Sequence, residues 1–497
     1  SMKSSQSLQK RIAKAFSDGI TNFDLYHQLT FMAATSAAGL SRNRVFTLAK
    51  TLENPAAEYF GMIEELAATL RVSFPDACRL VGQKVDSENV RNFLLRFGDA
   101  LGSGEPLAAY LAREARIQGA NYENEYERLL ESLKKWTDAY TSVTVSMALI
   151  VIINMVSMMI YDLGVETMAM MVMVAIMGGF GVAWILSRAA PQEVKNVPLK
   201  EGTKEQQLSQ KLALILGPVT IVVAAGMMVL GVPDGWVMVA AGVVMAPIGL
   251  VAMRAENQVD KKAEELSSFL RSLGGTASSR GSTLRESLNN IKMGSFPTLE
   301  PDVERLRLRL NALGFSEICW DMFGNETGSK LARQASSIFY ESVRMGGDPE
   351  QSGLLASEFA TSTAMLRAKR KGVAGTFRWL TIIMHGVLTA LMVFLLAIMG
   401  QFMQMLSDAM AGVPEGGGSM AGMGATTGMF SFGELQMSFM QNMTMGTVIM
   451  MALINAFAVV SGEGSQILKI FFYLSILLIF SGLNFLFVPS VVDGIWL

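Results

Sequence analysis

The chain has 497 residues, of which 51% are hydrophobic and only 17% charged, with a net charge of −2. A soluble protein carries about 25% charged residues, and a balance so near neutral offers no basic field for nucleic acid, so none is expected as a partner. Two cysteines and two histidines exclude a disulfide framework and leave almost nothing for a zinc site.

Residues 1–20 are polar and basic and lack the apolar run of a cleaved signal peptide. Residues 20–139 read as helical. Tyr59, Ile63, Leu66 and Leu70 follow a 3.6-residue period behind Asn54-Pro55, and Val90, Phe93, Leu94, Phe97 and Leu101 do so behind Asp86. Such stripes pack into a bundle. Four apolar stretches follow, at 140–160, 165–187, 211–231 and 236–253. Each is close to the ~20 residues a bilayer core requires. A second charged helical stretch fills 254–378, and three more spans are predicted at 379–402, 442–461 and 470–489. The boundaries are therefore a first module at 1–139, four spans in 140–253 around a short loop at 188–210, a second module at 254–378, and three spans in 379–497 around a Gly- and Met-rich loop at 403–440.

All 41 Lys and Arg fall in 1–139, 188–211, 254–378 or at Lys469. The positive-inside rule puts those segments in the cytoplasm. Strict alternation of seven spans then places the N-terminus inside and the C-terminus outside. Asn154, His385, Asn455 and Asn484 lie at depth, and no Asp, Glu, Lys or Arg does. Interhelical hydrogen bonds account for these four better than an ion pathway. Gly178, Gly179, Gly181, Gly217 and Gly226 read as points of close helix approach, and the 36 methionines as adaptable packing.

The two charged stretches match at an offset of 241 to 243 residues. Gly39 falls on Gly281, Phe74 and Cys78 on Phe315 and Cys319, Phe97 on Tyr340, Gly104-Glu105-Pro106 on Gly347-Asp348-Pro349, Leu111 on Leu354, and Trp136 on Trp379. An ordered set at a near-constant offset indicates duplication. Glu105-Pro106 and Asp348-Pro349 each read as an acidic N-cap followed by a first-turn proline. Cys78 and Cys319, at equivalent positions, read as buried packing residues.

No catalytic motif is present. Gly324-Asn325-Glu326-Thr327-Gly328-Ser329-Lys330 has three residues between its glycines and a serine before its lysine. A phosphate loop needs four residues there and lysine directly after the second glycine. The string reads as a loop between helices. No enzyme activity, cofactor or metal is expected. The second module holds 18 Lys and Arg against 15 Asp and Glu, whereas 1–139 holds 17 of each. Its densest run, Arg367, Lys369, Arg370 and Lys371, and the pair Lys134 and Lys135 beside Trp136, are the candidate partner-binding residues. They also read as anchors for anionic headgroups of membrane lipids.

Gln28-Leu29-Thr30-Phe31-Met32-Ala33-Ala34, running to Ala38-Gly39-Leu40-Ser41, and its repeat Phe269-Leu270-Arg271-Ser272-Leu273, running to Arg280-Gly281-Ser282-Thr283-Leu284, resemble the module of the type II secretion F superfamily. So does the Gly-acid-Pro turn before each membrane-directed helix. The resemblance covers roughly 20–400. Four spans between the modules look more like the platforms of archaella and archaeal type IV pili than bacterial ones. It implies an all-α, polytopic membrane protein of about seven transmembrane helices with two duplicated cytoplasmic helical-bundle modules. It further implies a non-enzymatic inner-membrane platform, working as a homodimer, gripped by a hexameric secretion ATPase and inserting pilin-like subunits into a filament. The alternative is a secondary transporter, whose repeats would lie in the spans and whose substrate site would lie at the midplane.

Overall fold

A computed structural model describes residues 21–85, 87–160, 165–193, 203–313, 316–411 and 434–496. They form sixteen α-helices and no β-strand. Seven of the helices are long and apolar enough to cross a membrane. The chain divides into two compact units, one made of 1–128, 194–203 and 257–368, the other of 129–193, 204–256 and 369–497.

The first unit contains one helical series twice. Helices α1 (Asn22–Ser36), α2 (Arg42–Ala49), α3 (Ala57–Leu70), α4 (Phe74–Gly82), α5 (Glu88–Ser103) and the start of α6 (Leu107–Ile160) make the first copy. After α7 (Val165–Ala189) and α8 (Lys204–Val229), the second copy runs from the end of α9 (Asp234–Arg280) through α10 (Leu284–Asn290), α11 (Glu300–Leu313), α12 (Ser316–Glu326) and α13 (Lys330–Arg344) into α14 (Pro349–Ala411). Each helix from α2 to α6 starts 242 or 243 residues before its counterpart.

Local chemistry sets these boundaries in both copies. Gly39 and Gly281 take left-handed conformations, φ +72° and +59°, just past the ends of α1 and α9, where a Cβ would be strained. The hydroxyls of Ser73, Thr283 and Ser329 accept the N–H groups of Asp76, Glu286 and Ala332 and so cap α4, α10 and α13. Ser329 thereby closes the 324–330 string, whose first three residues end α12 and whose lysine opens α13.

The first copy's core is aromatic, with Phe46 stacked between Phe74 (4.7 Å) and Phe97 (5.8 Å), and Phe97 on Tyr110 (5.6 Å). In the second copy Phe269, Phe323, Phe339 and Trp320 are buried. Cys78 and Cys319 are both fully buried, and burial pushes the Cys78 thiol up to about 12. The helix register pairs Phe97 with Phe339 as well as placing Tyr340 nearby, and both are buried. Leu111 and Leu354 are not equivalent: the first is buried, whereas the second is 36% exposed. In the second copy Gly353 takes the inner position, where an added Cβ would sit 2.7 Å from the Leu270 carbonyl. Phe315 lies outside the described residues.

The second unit contains the apolar spans, from the latter part of α6 through α7, α8, the first part of α9, the latter part of α14, α15 (Glu434–Glu463) and α16 (Ile470–Trp496). Its core is rich in methionine, including Met147, Met155, Met238, Met392, Met440 and Met451. Of the five close approaches expected, Gly179 makes one, with an added Cβ 2.9 Å from Met147 Sδ. An added Cβ would meet nothing within 4 Å at Gly178, Gly181, Gly217 or Gly226. Helices α9 and α16 meet instead through Gly235, Gly242 and Gly249, seven residues apart, with Gly482 opposite. A Cβ on Gly242 would sit 2.8 Å from the Ser475 carbonyl, and one on Gly249 would collide with the Phe472 backbone. The fourth span, short as an apolar run, is part of the 47-residue α9. Helix α14 extends into the predicted outer loop, and residues 161–164 and 412–433 lie outside the described residues.

Candidate functional site

In the first unit, α1 is fixed at its start by a capping box between Thr21 and Asp24 and packs against α13 and α14. Ser342 Oγ donates to the Ala34 carbonyl at 2.6 Å, and the His27 and Tyr26 rings lie 5.4 and 5.1 Å from Phe359. Asn54 fixes the state of His27. Asn54 Oδ1 accepts the Ala56 N–H (2.9 Å), so its amide nitrogen donates, to the Asp24 carbonyl (2.7 Å) and to His27 Nδ1 (3.2 Å). Gln334 Nε2 is a second donor to the same Nδ1, at 3.3 Å. Nδ1 is therefore an acceptor, and the proton sits on Nε2, which is buried and has no partner. Burial, helped by the positive charge of Lys330, lowers the imidazole from its ordinary 6.5 to about 3, so it stays neutral.

This histidine lines a cleft of about 800 Å³ between α1 with the loop after α2, from the first copy, and α12 with α13, from the second. Glu53, Glu317, Asp321, Glu341, Lys330, Arg333 and Arg344 surround it. Arg333 pairs with Glu53 at 2.9 Å and Asp321 at 3.8 Å, and Arg344 with Glu317 at 2.8 Å and Glu341 at 2.6 Å. Among the described residues no three His, Cys, Asp or Glu side chains converge as metal ligands. The cleft offers hydrogen bonds and charge, which suits binding.

Of the residues singled out in sequence, Lys134, Lys135 and Lys369 are exposed, Lys371 is half-buried and Arg367 is buried. Arg370 is no contact for a headgroup or partner. It is 2% exposed, and its guanidinium donates to the carbonyls of Gly462 (3.0 Å), Ser461 (3.0 Å) and Pro191 (2.7 Å). Two of these carbonyls close the C-terminus of α15, where a cation is favoured. The turns also divide. Asp348 caps α14, its carboxylate accepting the Gln351 N–H at 3.0 Å. Glu105 does not cap α6: the Pro106 carbonyl accepts the first helical N–H, from Tyr110, while the longer Glu105 side chain reaches forward to Arg113 at 2.8 Å. The left-handed glycines are Gly104 (φ +80°) and Gly346 (φ +93°), not Gly347. Gly347 instead sits against Ser342, 2.7 Å from its Oγ to an added Cβ.

Within the second unit, sequence reasoning missed a buried ionic cluster. Glu463 accepts from Lys469 (2.8 Å), Arg378 (3.0 Å) and the Tyr473 hydroxyl (2.8 Å), and Ser465 Oγ donates to Glu256 (2.9 Å). The one signal available was Glu463 and Lys469 facing each other across a short inter-span turn. The four polar residues at depth are bonded. Tyr140 donates to Asn455 Oδ1 (2.6 Å), Asn455 Nδ2 meets His385 Nδ1 (3.1 Å), His385 Nε2 meets Ser481 Oγ (2.9 Å), and the Ser481 hydroxyl donates to the Leu477 carbonyl (2.9 Å). Asn484 bonds the Gly386 carbonyl, and Asn154 that of Ile150.

The chain is similar to two proteins named flagella accessory protein J. The one from Methanocaldococcus jannaschii is 28% identical over 313 residues, 60% of this chain and 55% of that protein. The one from Methanococcus voltae is 26% identical over 323 residues, 61% of this chain and 56% of that protein. The match thus spans little more than half the length of either relative. No family model matches the sequence, and no solved structure matches it.

Proposed function

We propose that this chain is the non-enzymatic inner-membrane platform of a type IV filament machine, of archaellum or pilus type. It couples a hexameric cytoplasmic secretion ATPase to the insertion of pilin-like subunits. The observation that carries this reading is the duplicated helical series, each copy ending in a helix that becomes an apolar span. The relatives' name, flagella accessory protein J, agrees with it. The distribution of Lys and Arg supports both copies in the cytoplasm and the C-terminus outside.

In this reading α6 and α14 are the levers. Their 54 and 63 residues correspond to rods of about 80 and 95 Å. Neither has a proline beyond its first turn, so neither has the usual cause of a kink. Leu130→Pro and Leu366→Pro should abolish filaments seen by electron microscopy while the protein stays in the membrane fraction, and Leu→Met at the same positions should leave filaments intact. Normal filaments from the proline variants would refute the coupling. Co-purification of the full chain with its secretion ATPase tests the partner directly. A transporter finds no support at its expected midplane, because α14 and α15 run unbroken through His385 and Asn455.

A further inference from the structure

We propose that the cleft between α1 and the helices α12 and α13 binds an extended, basic peptide segment of a partner protein. This does not lean on the platform reading, since it rests on the cleft alone. Three of its lining side chains hold polar atoms that are buried and have no partner among the described residues: His27 Nε2, Gln334 Oε1 and Ser336 Oγ. All three residues are at least nine-tenths buried. The first is a donor, because Nδ1 already accepts two amide N–H groups. The second is an acceptor, because Gln334 spends its amide nitrogen on that same Nδ1. A donor and an acceptor on two side chains that are hydrogen-bonded to each other complement the C=O and N–H of a peptide. Each stays costly while unmet and is repaid when a peptide amide reaches it. The chain's other histidine, His385, has partners on both ring nitrogens, so an unmet imidazole nitrogen is not the habit of this protein.

The charges around the cleft set the sign of the peptide. Arg333 and Arg344 each serve two carboxylates, so each cluster carries a net negative charge, and Lys330 offsets one. Three of the four acids are also the outward groups, the fourth, Glu341, being only 16% exposed. Glu53, Glu317 and Asp321 side chains are 78%, 66% and 62% exposed, against 27% and 32% for Arg333 and Arg344. A lysine or arginine on the incoming segment meets carboxylates first. Leu52 is half-buried at the same cleft, and Ile318 stands 57% exposed at it. An aliphatic residue beside the basic one would cover them.

The test pans a library of short random peptides against the full-length protein in nanodiscs. Sequences joining Lys or Arg to an aliphatic residue should be enriched. Their affinity should fall roughly tenfold in Gln334→Leu or in the pair Glu53→Gln with Asp321→Asn, and stay unchanged in Glu88→Gln on α5. Methylating the peptide's main-chain amides should weaken binding comparably. In the unaltered protein, a selected peptide should slow amide hydrogen exchange in α1, α12 and α13. No enrichment, enrichment of acidic sequences, indifference to the cleft substitutions, or protection confined to other helices would each overturn the proposal.

Discussion

The two histidines show how one residue type is settled by its neighbours. His385 relays a donor chain from Tyr140 to the Leu477 carbonyl and leaves nothing unmet. His27 is held neutral by burial, so acid acts against the fold there. Its unfolded form takes a proton below about pH 6.5, whereas the folded form does so only near 3. Stability is therefore fully present above 6.5 and is lost as pH falls through that window, by on the order of 2 kcal/mol at pH 5. The protection factors of the α1 amides in the nanodisc-bound protein, with the intrinsic pH dependence of exchange divided out, should fall between pH 7 and 5, and His27→Gln should flatten that dependence. Arg370 presents the opposite case, a charge kept inside by three carbonyls. Arg370→Lys retains the charge but loses the fork, and should cost about 2 kcal/mol, read as a lower melting temperature. An Arg370→Lys protein as stable as the parent would mean that these bonds contribute little. Nothing in the Arg367–Lys371 run distinguishes its two buried arginines from the exposed Lys369 by sequence, because the acceptors of Arg370 come from residues 191, 461 and 462.

At the scale of elements, boundaries were readable where one residue decides them. Gly39 and Gly281 were matched by sequence offset and share a left-handed conformation. Asp348 caps as its type predicts, whereas Glu105, one methylene longer and ahead of a proline that itself precedes the first helical residue, Leu107, forms an ion pair. Gly346→Ala should cost about 1 kcal/mol through its positive φ alone. Helix contacts were less legible. The sequence holds 46 glycines, and composition does not say which of them face a backbone. The Gly235, Gly242, Gly249 row does, since seven residues bring each back to one face of α9. Gly242→Ala should part α9 from α16 and destabilise the second unit by about 1–3 kcal/mol. Gly226→Ala, in open surroundings, should be neutral in the same thermal assay.

For the whole molecule, seven apolar helices and a twice-used helical series follow from hydropathy and internal repetition. Orientation can be measured. Lys135→Cys and Gly494→Cys, introduced separately, should differ toward a membrane-impermeant maleimide added outside cells. Only the second should react, and the native Cys78 and Cys319, both buried, should stay silent. Labelling of the Lys135→Cys protein from outside would reverse the topology.

Sequence alone determined the all-α class, the apolar helices, the duplication and the turns at Gly39, Gly281 and Asp348, because each depends on residues near one another in the chain or on a period within one helix. Tertiary structure decided that Arg370 is buried, which glycines touch, where Glu463 finds its cations, and that His27 and Gln334 share a cleft. Those outcomes depend on pairs hundreds of residues apart, such as His27 with Gln334 or Arg370 with Pro191. A hydrogen bond acts only over the few ångströms that folding brings together.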